Sequence, residues 1–109
     1  MTDDAAKIAA LNDRARRSFM DCRVVVTQGI QMLGEDATAQ ILSAVQSFDA
    51  FTADNDPYGE HDFGKITYAG KDVFWKWDYC DLDFSMHSPD PTDTTVTARV
   101  LTIMLAEEY

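Results

Sequence analysis

Apolar positions change period several times along this chain, and each change marks an element. Ile8, Leu11, Ala15 and Phe19 recur at spacings of three and four, which predicts a helix over residues 3–19 with Thr2 or Asp3 as its cap. The run "CRVVVTQGIQML" breaks that period. Its three consecutive valines, Val24 to Val26, predict a strand buried on both faces, bent at Gly29. Helical spacing returns in "GEDATAQILSAVQSFDAF", with Thr38, Ile41, Leu42, Val45, Phe48 and Phe51 along one edge, Asp36 near the positive end, and a stop near Phe51.

"FGKITYAGKDVFWKWDY" alternates instead, and Gly70 between two β-forming runs predicts a hairpin. Val73, Trp75, Trp77 and Tyr79 share one face of its second arm. In "CDLDFSM" the apolar parity shifts, so a bulge or turn near Asp78 to Asp81 should lead into a third and even a fourth antiparallel strand. "SPDPTD" then places Asp90 as a cap before Pro91, and Val96, Val100, Ile103 and Met104 recur at helical spacing, which predicts a last helix from Pro91 onward. The expected class is α+β in the order αβαβββα: an antiparallel three- to four-stranded sheet with helices mainly on one face, in a single domain over residues 1–109.

Composition agrees with a packed core, since 46% of the 109 residues are hydrophobic. Acids near the amino end in place of a basic start, and no run of about 18 apolar residues, point to the cytoplasm and away from a membrane. Cys22 and Cys80 lack metal-type spacing and read as two half-buried thiols.

Charge changes the picture more. The net charge is −10, which disfavours direct contact with nucleic acid and favours basic partners. It is also uneven: five of nine basic residues fall in the first 23 positions, whereas residues 49–93 hold eleven acids against Lys65, Lys71 and Lys76.

The densest chemistry is "DNDPYGEHDFG", residues 54–64. Asp54, Asp56 and Gly59 match positions 1, 3 and 6 of a calcium loop, but Tyr58 stands at position 5 and Lys65 at position 12, so no metal is expected. His61 has only His87 as a second imidazole for a transition metal. A small enzyme or ligand-binding domain would use Tyr58, Glu60, His61 and Asp62 with Trp75 or Trp77. No nucleophile elbow, zincin helix or phosphate loop accompanies them, and no cofactor is expected. The plainer reading is an ordered acidic connection whose Gly59 and Gly64 permit unusual backbone angles.

Trp75 and Trp77 read as core residues first, with a ligand platform or a homo-oligomeric interface as alternatives. Asp81 and Asp83, if on a strand, would stand roughly 6.6 Å apart at about 3.3 Å per residue, close to two base-pair steps. Glu107 and Glu108 lie where a helix dipole is already negative, which predicts a frayed end.

"FDAFTADNDPYGEHDFG" and "VLTIMLAEEY", with "ALNDRARR" and "FWKWDYCD", resemble a small bacterial family of unknown function. Its members are of about this length and are often encoded on plasmids and other mobile elements. The resemblance implies a genomic setting and no chemistry. Together these features predict a non-enzymatic interaction protein with Asp54, Asp56, Glu60, Asp62, Asp81, Asp83 and Asp90 facing a basic protein surface. In the mobile-element setting, that partner would be a nucleic-acid-binding defence protein inhibited by mimicry of nucleic acid, in the manner of anti-restriction or anti-CRISPR proteins.

Overall fold

In the computed structural model the described residues are 2–109, with side chains described from Asp4 onward, so the expected cap by Thr2 or Asp3 lies outside them. The elements are α1 (Thr2–Ser18), β1 (Arg23–Val26), a single-turn α2 (Gln28–Gln31), α3 (Glu35–Gln46), β2 (Phe63–Tyr68), β3 (Lys71–Cys80), β4 (Ala98–Leu105) and a closing 3-10 turn at Ala106–Glu108. The class is α+β. The four strands lie in the order β1-β4-β3-β2, and the sheet is mixed, because β1 runs parallel to β4 while the other pairs are antiparallel.

The hairpin forms where alternation predicts it. Ala69 and Gly70 both take positive φ, 50° and 80°, the turn whose twist matches two paired strands. Val73, Trp75, Trp77 and Tyr79 of β3 and Leu101, Ile103 and Leu105 of β4 face inward, against Ile8 and Ala15 of α1, Ile30 of α2, and Ile41 and Val45 of α3. Trp75 is completely buried and Trp77 nearly so, which removes the oligomeric interface considered for that face.

Four expectations are corrected. The last helix is instead β4, packed through the middle of the sheet. Asp90 and Asp93 each accept from the backbone two residues on, at Thr92 and Thr95, so the signals around Pro91 build consecutive turns. Beyond them the β-branched run "TTVTARVLTI" alternates Arg99, Leu101 and Ile103 inward with Val100 and Thr102 outward. Residues 81–86 are a tight loop and not a strand, with Asp81 N–H donating to Met86 C=O and Phe84 N–H to Asp81 C=O. β1 is an edge strand, half-buried at Val24 and Val26 and exposed at Val25, where burial on both faces was expected. α3 stops at Gln46, short of Phe51.

The carboxyl end is also ordered. Glu108 accepts from Thr27 Oγ1 (2.7 Å), Gly29 N–H (3.1 Å) and Leu105 N–H (2.8 Å), clasping the start of α2. These bonds, the one from Thr27 foremost, hold its pKa below the usual carboxylate value.

Candidate functional site

The connection from α3 to β2 crosses the helix-covered side of the sheet as an ordered loop. Asn55 closes its first turn, accepting from Thr52 N–H and donating to Ala50 C=O. Gly59 (φ 68°) and His61 (φ 54°) take left-handed backbone, and Asp62 C=O accepts from Trp77 N–H at 2.8 Å, pinning the loop to β3. Asp56 is turned inward, 9% exposed, and its carboxylate accepts from His61 N–H. It is therefore part of the loop's scaffold, and the expected role as a surface charge is corrected.

This loop carries His61 to α1. Its Nδ1 lies 2.9 Å from Asp13, its Nε2 lies 3.6 Å from Asp56, and its ring stacks on Phe51 with centroids 3.9 Å apart. Asp13 also pairs with Arg16 at 3.0 Å. Arg16, fully buried, donates to the C=O groups of Val45 and Gln46, where α3 ends, and its guanidinium lies over Phe51 and Trp75. A cation thus satisfies the carbonyls at a helix terminus and stacks on two aromatics.

A second set meets at Asn12, which is also fully buried. Its Nδ2 donates to Glu60 C=O (3.0 Å) and to Tyr79 Oη (2.8 Å), and its Oδ1 accepts from Arg99 Nε (2.8 Å). The Tyr79 hydroxyl donates in turn to Glu60 Oε1. Burial pushes the Tyr79 phenol well above its ordinary range, so it acts as a fixed hydrogen-bonding group.

Burial, with Asp62 nearby, raises the Glu60 pKa, and burial raises that of Asp62. A carboxyl that holds its proton more tightly when folded stabilises the fold at low pH. That contribution is lost as pH rises through its folded value. Glu60→Gln and Asp62→Asn are therefore expected to melt above the wild type at about pH 7, with the advantage gone below about pH 4, where both proteins are uncharged at these positions. Melting curves across pH check this; a Glu60→Gln variant less stable at neutral pH than at acidic pH, relative to the wild type, would contradict it.

Three of the four residues of the enzymatic alternative are placed as follows. Tyr58 is 81% exposed, Glu60 is engaged by Tyr79, and His61 is held by Asp13 and faces Asp56. Among the described residues no group of three or more His, Cys, Asp or Glu side chains is placed to hold a metal. Asn12, Asp13, Arg16, Tyr79 and Arg99 were missed as site residues. Asn12 and Arg16 continue the stripe of Ile8, Ala15 and Phe19 at helical spacing, a polar interruption that could have singled them out.

The remaining acids are dispersed. Asp54 is exposed on the loop, and Asp90 caps its own turn through Thr92. Asp81 accepts from Ser85 N–H (3.0 Å) and Ser85 Oγ (3.2 Å), bonds that lower its pKa, while Asp83 is exposed. Because this backbone is a turn, the strand spacing that likened Asp81 and Asp83 to phosphates does not apply. The same loop leaves Leu82 58%, Phe84 43% and Met86 73% exposed. Phe84 is fixed at φ 59° with the Arg23 guanidinium 4.1 Å over its ring, and the loop's base is closed by the Cys80–His87 bridge.

A family model described as a protein of unknown function, DUF3768, matches residues 26–108, and the chain belongs to that family. No curated protein and no solved structure matches it. No helix among the described residues is long and apolar enough to cross a membrane.

Proposed function

We propose that this member of the DUF3768 family works by binding a protein whose contact surface is basic, through the face built on the Asp81–Met86 loop. The observation that carries this reading is a loop stiffened by its own hydrogen bonds that nonetheless holds three large apolar side chains outward. Leu82, Phe84 and Met86 alternate with Asp83 and Ser85. Contacts held rigid before binding lose little entropy on association, and apolar anchors ringed by charge are the usual make-up of a binding patch. The rim is mixed, with Asp83 exposed, Asp78 paired with Lys76 at 3.5 Å and Arg23 over Phe84, and it is the net charge of −10 that draws a basic partner toward the face. By contrast, the polar groups around His61 and Asn12 are occupied with one another.

The finer reading is an inhibitor of a nucleic-acid-binding defence protein, acting in the cytoplasm. It rests on the net charge and on the resemblance to plasmid-borne bacterial proteins. Mimicry of nucleic acid would then come from the overall acidic field and not from a strand-spaced carboxylate pair.

The test is capture of partners from host extract with the wild-type protein, followed by titration of the purified partner. Leu82→Ser with Met86→Ser is expected to weaken binding about a hundredfold, on the order of 1 to 2 kcal/mol per anchor, while exposed sites of this kind change stability by only about 0.5 kcal/mol. Asp83→Lys is expected to slow association and to flatten its salt dependence. A partner that binds the double variant as tightly as the wild type, or binding that instead fails on changes at Tyr58 or Glu60, would place the working surface elsewhere.

A further inference from the structure

Several clefts of similar size open on the surface, and one of about 410 Å³ lies between the end of α1 and the turns before β4. Leu11, Ala15 and Met20 supply an apolar wall, and Arg14, Asp21 and Arg99 supply the charge. Its volume falls within the range of small-molecule sites, about 300 to 1,000 Å³.

Arg99 distinguishes it. The residue is 6% exposed, yet its described hydrogen bonds go only to neutral oxygens, from Nε to Asn12 Oδ1 and from one terminal nitrogen to Pro91 C=O at 2.6 Å. Its guanidinium lies 5.3 Å from the Tyr79 ring centroid. Among the described residues no carboxylate pairs with it, although the chain carries nineteen acids. Arg16, the other buried guanidinium, has Asp13. A guanidinium stays charged in a protein, and a buried charge without a counter-ion is costly. Its second terminal nitrogen donates to no described group, and the residue lines both this cleft and the adjoining one beside Leu82 and Phe84.

We propose that this cleft binds a small organic oxyanion, a carboxylate or a phosphate monoester with an apolar body, with Arg99 and Arg14 holding the anionic group. The remaining terminal nitrogen of Arg99 can donate to one oxygen of either group and Arg14 to another. Leu11, Ala15 and Met20 receive the apolar part. Asp21 is the one carboxylate lining the cleft and opposes the ligand, so the two guanidiniums leave a net positive site on a protein of net charge −10. This site adjoins the loop face, since Asp21 and Arg99 also line the cleft beside Leu82 and Phe84, but anion titration of the chain alone and partner capture test the two readings separately.

The experiment titrates the full chain with sodium benzoate and with phenyl phosphate, against sodium chloride at matched ionic strength, following the Arg99 Nε–H resonance by NMR. Saturable movement of that resonance by at least one of the two anions, and not by chloride, is expected. Tighter benzoate binding identifies a carboxylate ligand, and tighter phenyl phosphate binding a phosphoryl one. Arg14→Ala is expected to weaken the better probe about tenfold, the loss of one charge-assisted contact. Asp21→Asn is expected to tighten it. Both substitutions are at exposed positions, which keeps the test open should Arg99 variants not fold. Movement that only tracks ionic strength, or affinity unchanged in both the Arg14 and Asp21 variants, would overturn the proposal.

Discussion

Arg16→Ala is expected to cost about 3 to 5 kcal/mol of folding stability, the range found when one partner of a buried ion pair is removed. The guanidinium is fully buried, and its loss strands several groups at once. Asp13 keeps only His61, the carbonyls of Val45 and Gln46 lose their donor, and the faces of Phe51 and Trp75 lose the cation lying over them. Against a typical total of about 5 to 15 kcal/mol, such a loss is a large fraction of the whole. Asp13→Asn should cost less, since the amide oxygen can still accept from Arg16. Denaturant titration of both variants checks the order; an Arg16→Ala midpoint close to the wild type would mean that α1 and α3 pack without this link.

Gly64→Ala is expected to be the most damaging single-methyl addition, costing about 1 to 3 kcal/mol as overpacking of a filled core does. A Cβ at residue 64 would lie 2.3 Å from Trp75 Nε1 and 2.4 Å from its Cε2. The indole cannot easily retreat, because it is fully buried and bounded by Phe48 (5.4 Å between centroids), Phe51 (6.0 Å) and Arg16. The expected signature is a lower melting temperature together with altered tryptophan fluorescence. A variant of unchanged stability would show that the indole has room to move.

The hairpin and β4 show what the sequence reveals and what it conceals. The hairpin was readable because Ala69 and Gly70 sit between runs of strict alternation, a local signal that packing had no reason to override. β4 was not, because "SPDPTD" followed by Val96, Val100, Ile103 and Met104 satisfies a helical template by coincidence. The stronger evidence lay in the β-branched density from Thr94 to Ile103. The turn at Asp81 was anticipated a few residues early, since β3 continues to Cys80 before the chain folds back. The site was legible only in its loop. His61, Glu60 and Asp62 stood out by density, whereas the partners of His61 and Glu60, namely Asp13, Asn12 and Tyr79, come from as far as 48 positions away along the chain, a distance over which no local pattern carries information. The outward display of Leu82, Phe84 and Met86 was hidden for a related reason: in a strand they would share one face, and only Asp81 bonding back to Ser85 turns them into a projecting tip.

The position of β4 bears on how the chain matures. β1 pairs along one side only, with residues 23–26 set against 100–103, so its partner arrives 77 residues later in synthesis. A ribosome-bound fragment ending before Ala98 can close the β2–β3 hairpin, but Leu101, Ile103 and Leu105 are absent, and the inward faces of Trp75 and Trp77 have no neighbouring strand on that side. Long-range pairing of this kind folds slowly. From the synthesis of Cys80 until that of Leu105 the hairpin therefore carries an open edge that only β4 fills, and an unpaired edge of this kind is the part of the fold most exposed to wrong pairing.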